Sequence, residues 1–219
     1  GAAGVYKTAM QQLQNKRFAL IAMTSFLSFY GIFSALSFDV HTNVFAAMLV
    51  PWLFYFFTNS NWRNTFIISI LILLYKENMA LWLIFIGFGL AWFYYKEKQK
   101  RNIALIISLV SIIYFVCVTM VIMPALSVSG NYAHMHYAIL GNGFGEILSN
   151  LFKHPLAAIA ILFKNHLPDT IFDYYKIETH IFVLLSGGLL LFLKPPYLIM
   201  LVPVYFQKMF HNTHTICSV

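Results

Sequence analysis

Charge is scarce in this chain: of 219 residues only 10% are Asp, Glu, Lys or Arg, and only 7 are acidic. Soluble domains carry roughly 25% charged residues, because a folded chain needs polar side chains to coat its core. With 60% hydrophobic and 18% aromatic residues, too little remains for that coat, which excludes an ordinary water-soluble fold. Cysteine is nearly missing as well. Cys117 lies inside an apolar run and Cys217 near the end, so they supply neither a disulfide framework nor a metal-ligand spacing. No Walker loop, dinucleotide glycine pattern, nucleophile elbow or His-Glu-x-x-His zinc motif occurs. Gly141-Asn142-Gly143 is a turn signal alone. A continuous basic face is lacking too. The net charge of +7 comes from Lys and Arg set between apolar runs, a pattern that argues against nucleic acid and for topology signals.

What is present is apolar sequence in long runs. A bilayer core about 30 Å thick takes on the order of 20 apolar residues as helix. Candidate spans cover 18–37, 44–58, 62–75, 79–95, 103–123, 180–193 and 197–206. The fold class expected is therefore all-α: one polytopic helical membrane domain of about seven crossings or part-crossings. Residues 124–179 form a long segment outside the spans. Within it Ile147, Leu148, Leu151 and Phe152 recur at helical spacing, and Pro155 suits a second helix start. Both stretches are expected as helices lying in the membrane interface. The chain begins Gly1-Ala2-Ala3-Gly4 and stops at Ile216-Cys217-Ser218-Val219, which reads as a piece of a longer polypeptide.

Lys and Arg counts in alternate loops set the orientation. One set of loops holds Lys7, Lys16, Arg17, Arg63, Lys96, Lys98, Lys100, Arg101 and Lys194, with Glu97 as its one acid. That set is expected to face the cytoplasm. The opposite, extracytoplasmic face then collects Asp39 and His41, the Lys76-Glu77-Asn78 string, the 124–179 segment and every His in the chain or its border.

The stretch from Thr65 to Tyr95 covers about 46 Å as helix, too long for one crossing and too short for two. A hairpin turning at Lys76-Glu77-Asn78 has arms that stop short of the outer surface. A charge at mid-membrane costs roughly 2.5–3.5 kcal/mol on insertion scales, so Lys76 and Glu77 are expected to line a wet cavity or to pair with each other. Asp39 and His41 follow the first span and reach the same cavity, or else end a helix in an ordinary solvated turn. Tyr132, His134, His136 and Tyr137 precede the interfacial helices. A His-x-His pair can ligate a divalent metal, but anchoring at the headgroup level is the other role open to it. No cofactor is expected beyond that.

Several strings, in order, resemble the bacterial and archaeal family of predicted membrane proteins known as the domain-of-unknown-function family numbered twenty seventy-nine. Its Phe-Asp-x-His-Pro-Glu pattern is similar to Phe38-Asp39-Val40-His41-Thr42-Asn43, and its Lys-Glu-Asp-x-Ala-Leu to Lys76-Glu77-Asn78-Met79-Ala80-Leu81. Met123-Pro124, Gly130-Asn131-Tyr132, Leu140-Gly141, His154-Pro155-Leu156 and the hairpin from Lys194 to Pro203 continue the series. Thr42-Asn43 and Asn78 depart from it, replacing the family's Pro-Glu and Asp, and the family's amino-terminal half is not matched. The family in turn resembles GT-C membrane glycosyltransferases, which take a sugar from a polyprenyl-phosphate donor on the extracytoplasmic side. That resemblance implies a prokaryotic plasma membrane location and catalytic roles for Asp39, His41 and Glu77. It also implies substrate binding by Lys76, which would meet the phosphate, and by Asn78, Tyr132, His134 and His136. A transporter or flippase, and a non-catalytic membrane subunit or remnant, are the competing readings.

Overall fold

A computed structural model of the chain describes residues 1–28, 42–126, 144–164 and 174–210. Every regular element among them is a helix, as the apolar runs require. The chain divides into two compact units, Gly1–Thr119 and Met120–Ser218.

The first unit holds α1 (Ala2–Leu13), α2 (Lys16–Leu27), α3 (Thr42–Thr58), α4 (Trp62–Tyr75), α5 (Asn78–Phe93) and α6 (Lys98–Val116). Local chemistry sets their ends. The side chain of Asn61 accepts from the Asn64 amide at 3.3 Å and starts α4. The extended backbone of Lys76 (φ −162°, ψ 147°) stops it. Asn15 caps α2 by accepting from the Arg17 amide at 2.9 Å, after a left-handed Gln14 closes α1.

α1 has no counterpart among the expected spans. Its sequence mixes apolar residues with Lys7, Gln11 and Gln12, and it forms a helix against partners. Gly4 lies against Pro51 of α3, where an added Cβ would come within 3.0 Å of the proline ring. Further along, Asn59 donates to Gln11 at 2.7 Å, so α1 and α3 run in the same direction.

α5 and α6 pack through small residues. A Cβ at Gly87 would sit 2.1 Å from Ser108 Oγ and 2.8 Å from the Ala104 carbonyl oxygen. Ser108 Oγ donates across the pair to the Ile84 carbonyl at 3.0 Å. Small side chains and interhelical hydroxyl bonds are what hold helices together where no water drives them together. Polarity is arranged accordingly. Thr65, Ser69, Ser108 and Ser111 are buried, while Leu74, Leu109 and Ile113 are more than half exposed.

α6 runs on without a break through a π-helical turn, Cys117–Ile122, and a last α turn, α7 (Met123–Leu126). The whole rod, Lys98–Leu126, is 29 residues long and strongly apolar, enough to cross a bilayer by itself. It is the one helix among the described residues that meets that test. α3, α4 and α5 are apolar but span 17, 14 and 16 residues. Among the described residues the architecture is thus helical with one self-sufficient span, and the expectation of about seven crossings goes further than these helix lengths do.

In the second unit lie α8 (Phe144–Lys153), α9 (Pro155–Phe163), α10 (Tyr175–Val183), a second π-helical turn at Leu184–Gly188, the short α11 (Leu189–Leu191) and α12 (Pro195–Met209). Pro155 and Pro195 each occupy a first helical turn, where the missing amide proton costs nothing. α12 therefore starts two residues before the apolar run that marks it in the sequence. Ile147, Met209 and Phe210 form a small core, flanked by Ile161, Leu162, Tyr205 and Phe206.

Candidate functional site

The two ends of the first unit differ in chemistry. At one end the α3–α4 and α5–α6 turns meet, because Phe57 contacts both Trp62 (5.8 Å between ring centroids) and Tyr94 (5.7 Å). Cations lie over Tyr94 and over two further rings of α3. Lys7 lies over Trp52 and Tyr55 at 5.3 and 5.5 Å, and Lys100 over Tyr94 at 4.5 Å. Lys100 also pairs with Glu97 at 3.0 Å. Rings with Lys and Arg are the side chains that settle at a membrane–water boundary.

The opposite end carries the Lys76–Asn78 turn. Lys76 is one extended residue between two helices. Its carbonyl accepts from the Met79 amide at 3.0 Å and the Glu77 carbonyl from Ala80 at 3.2 Å, which closes the chain directly into α5. The side chains of Lys76, Glu77 and Asn78 are all part-exposed. Lys76 forms no ion pair among the described residues. The ammonium follows the carboxyl end of α4, where helix carbonyls favour a cation.

Tyr75 stacks on Phe45 of α3, with ring centroids 6.2 Å apart and planes 11° apart. That contact sets the first turn of α3 beside the charged turn. Asn43 in that first turn and Asn78 at the start of α5 share one property: each has an enclosed side-chain oxygen with no hydrogen-bond donor among the described residues. A buried acceptor left without a donor costs about 1–3 kcal/mol, so such an atom offers a bond to whatever donor enters. Asn43 was not singled out as a binding residue from the sequence. An amide two residues after His41 carries no signal until its surroundings are known.

Asp39, His41, Tyr132, His134 and His136 lie outside the described residues. Among the described residues no three His, Cys, Asp or Glu side chains converge into a metal-binding group.

The second unit contains a polar arrangement that the sequence does not announce. Lys176 is fully buried, and its Nζ donates to the Ile161 carbonyl. One turn on, His180 Nε2 donates to the Leu162 carbonyl at 3.0 Å. Its ring lies against Phe163 and stacks on Tyr205, at 5.0 and 5.5 Å. Both carbonyls belong to the last turn of α9, which has no acceptor-satisfying helix beyond it. Lys176 and His180, four residues apart on α10, thus cap a neighbouring helix.

Burial pushes the Lys176 ammonium down from 10.5 to about 8. The folded state therefore binds fewer protons than the unfolded state between these values, and stability rises as pH climbs from about 8 to 10.5. Thermal midpoints in detergent should show that rise in the wild type, and Lys176→Met should flatten it. An equal slope in both proteins would assign the effect to other groups.

The chain belongs to the family described as predicted membrane protein (DUF2079), whose model matches residues 1–217. No curated protein and no solved structure matches it.

Proposed function

We propose that this member of the family is a multi-pass membrane glycosyltransferase of GT-C-like layout. It takes a sugar from a polyprenyl-phosphate donor at the extracytoplasmic face. The observation that carries the reading is the depth implied for the Lys76–Asn78 turn. α4 has 14 residues and α5 has 16, lengths of about 21 and 24 Å, against a hydrocarbon core of about 30 Å. With their other ends held at the cytoplasmic boundary by Trp62, Arg63, Trp92 and Lys96, these helices bring Lys76 to a level below the outer headgroups. A charge at that level belongs to a wet recess and marks a functional site.

A lipid donor enters such a recess sideways from the bilayer. In the transfer, an acceptor hydroxyl attacks the anomeric carbon, the bond from that carbon to the phosphate oxygen breaks, and polyprenyl phosphate leaves as an anion. Lys76 neutralises that anion. The acceptor proton goes to a carboxylate, Glu77 or Asp39, with His41 contacting donor or acceptor sugar. The oxygens of Asn43 and Asn78, unsatisfied among the described residues, accept from sugar hydroxyls, and Tyr132, His134 and His136 extend the binding surface.

Short helices also suit a transporter with a site at the membrane midplane, so the test has two arms. Membranes bearing the chain should transfer label from polyprenyl-phosphate sugars to an acceptor above the level of control membranes. Absent transfer combined with counterflow of labelled sugar lipid across proteoliposomes would replace the enzyme by the transporter.

Topology has its own test. In a background with Cys117 and Cys217 changed to Ser, Lys76→Cys should react with an impermeant maleimide added outside intact cells. Lys98→Cys should react only after permeabilisation. The reverse pattern would invert the orientation.

A further inference from the structure

The second unit has an open cleft of about 530 Å³ between α9, α10, the Leu184–Gly188 turn and α12. Its wall is almost wholly aliphatic and aromatic: Val183, Leu184, Phe192, Leu198 and Val202 are typical of it. His180 and Tyr205 contribute the polar atoms. His180 Nε2 is already committed to the Leu162 carbonyl, which among the described residues leaves Nδ1 of the ring and the Tyr205 hydroxyl for a guest. Tyr205 and His180 stack at 5.5 Å with planes 19° apart, so the two polar side chains of the cleft stand side by side in its wall.

The cavity is built into the backbone. A π-helical turn forms part of the wall, and such widened turns are concentrated at functional sites. Gly188 makes this one feasible, since an added Cβ would lie 2.5 Å from the Val183 carbonyl oxygen. The volume falls within the range of small-molecule sites.

We infer that this cavity binds one acyl chain bearing a carboxyl or carboxyl-ester head, the chain filling the apolar space and the head meeting Tyr205 and His180. Apolar walls exclude a sugar or a nucleotide, because their hydroxyls would lose water without finding partners. The size excludes a whole two-chain lipid. An acyl chain satisfies both limits, and a membrane protein is surrounded by them. The source is either a free fatty acid or one chain of a bilayer phospholipid. The inference is independent of the sugar-transfer reading, which concerns Lys76 in the other unit.

The test is a thermal-shift titration of the purified full chain in mild detergent with oleic acid, and separately with dioleoyl phosphatidylglycerol. At a hundredfold excess over Kd the midpoint should rise by about 5–10 °C. Val202→Trp places an indole in the cavity from a position that is 45% exposed, so the variant is expected to fold, checked by unchanged helical circular dichroism. It should lose the shift. Should it fail to fold, Leu198→Phe narrows the same space and serves instead. A shift with oleic acid alone identifies a free fatty acid as the source; a shift with both, and an oleoyl lipid copurifying by mass spectrometry, identifies the bilayer. No shift with either probe, or an equal shift in the folded filling variant, overturns the proposal. So does a shift given by polyprenyl phosphate and not by the oleoyl probes. None of these readings requires sugar transfer, so failure here leaves the Lys76 proposal where it stands.

Discussion

Lys76→Ala should reduce sugar transfer by about 10²–10³-fold while leaving the folded protein intact. The size follows from what a fixed charge does beside a leaving group in a site screened from bulk water: removing one preorganised contact to developing negative charge costs about 2.7–4 kcal/mol in the transition state. The loss should fall mainly on kcat, because the phosphate carries its extra charge only as the glycosidic bond breaks. Lys76→Arg keeps the cation but changes its shape, and should recover a large part of the rate. Folding is insulated from the change because Lys76 is part-exposed and forms no ion pair among the described residues. Its backbone already provides the helix break. Transfer within twofold of wild type in Lys76→Ala would remove Lys76 from the phosphate role. Loss of transfer together with loss of helical signal would be a folding defect, and Lys76→Arg then separates charge from structure.

The second large effect concerns the α5–α6 seam. Gly87→Leu should lower the thermal midpoint of the detergent-solubilised protein by roughly 5–10 °C, or prevent its accumulation in membranes. The added side chain meets Ser108 Oγ at 2.1 Å and the Ala104 backbone oxygen at 2.8 Å at its very first carbon. Ser108 can rotate, at the cost of its bond to the Ile84 carbonyl. The Ala104 oxygen moves only if the helix moves. Overpacking of a tight interior costs about 1–3 kcal/mol, and a helix pair forced apart loses its other contacts as well. Gly87→Ala should show a smaller fall of the same sign. A midpoint unchanged in Gly87→Leu would mean that the helices are not held at this distance.

Much of the helical pattern is legible in the residues because apolar length is a direct signal. The run ending at Tyr75 stops where Lys76 and Glu77 interrupt it, and α4 stops at the same place. Pro155 marks the start of α9 for a reason readable from one residue. Three features are not legible, each for its own reason. α1 has no long apolar run, and it is fixed by contacts with Pro51 and Asn59, more than forty residues away. The π-helical turns depend on a backbone register that side-chain pattern does not encode. Lys176 reads as one more charge in a polar segment, whereas it is buried as a cap on another helix.

The candidate site divides in the same way. Lys76, Glu77 and Asn78 stand out in the sequence because charge inside an apolar run is conspicuous. Asn43 joins them only through the stacking of Phe45 on Tyr75. The family membership foreseen from the ordered strings holds across residues 1–217, and the sugar chemistry stands as a proposal.

The seam between α5 and α6 also says how this protein can change over time. Gly87 on one helix meets Ala104 and Ser108 on the other, and Ala80, Gly89, Ala91 and Ser111 are further buried small residues of the pair. In a water-soluble core, exchanges among apolar residues are the tolerated ones. Along this strip the ruling quantity is volume. Glycine, alanine and serine should interchange there despite their different hydropathies, while valine and leucine, closer to the surrounding composition, should be rejected. Selection on such a surface acts as a gauge of width, blind to polarity so long as a hydroxyl can reach a carbonyl across the gap.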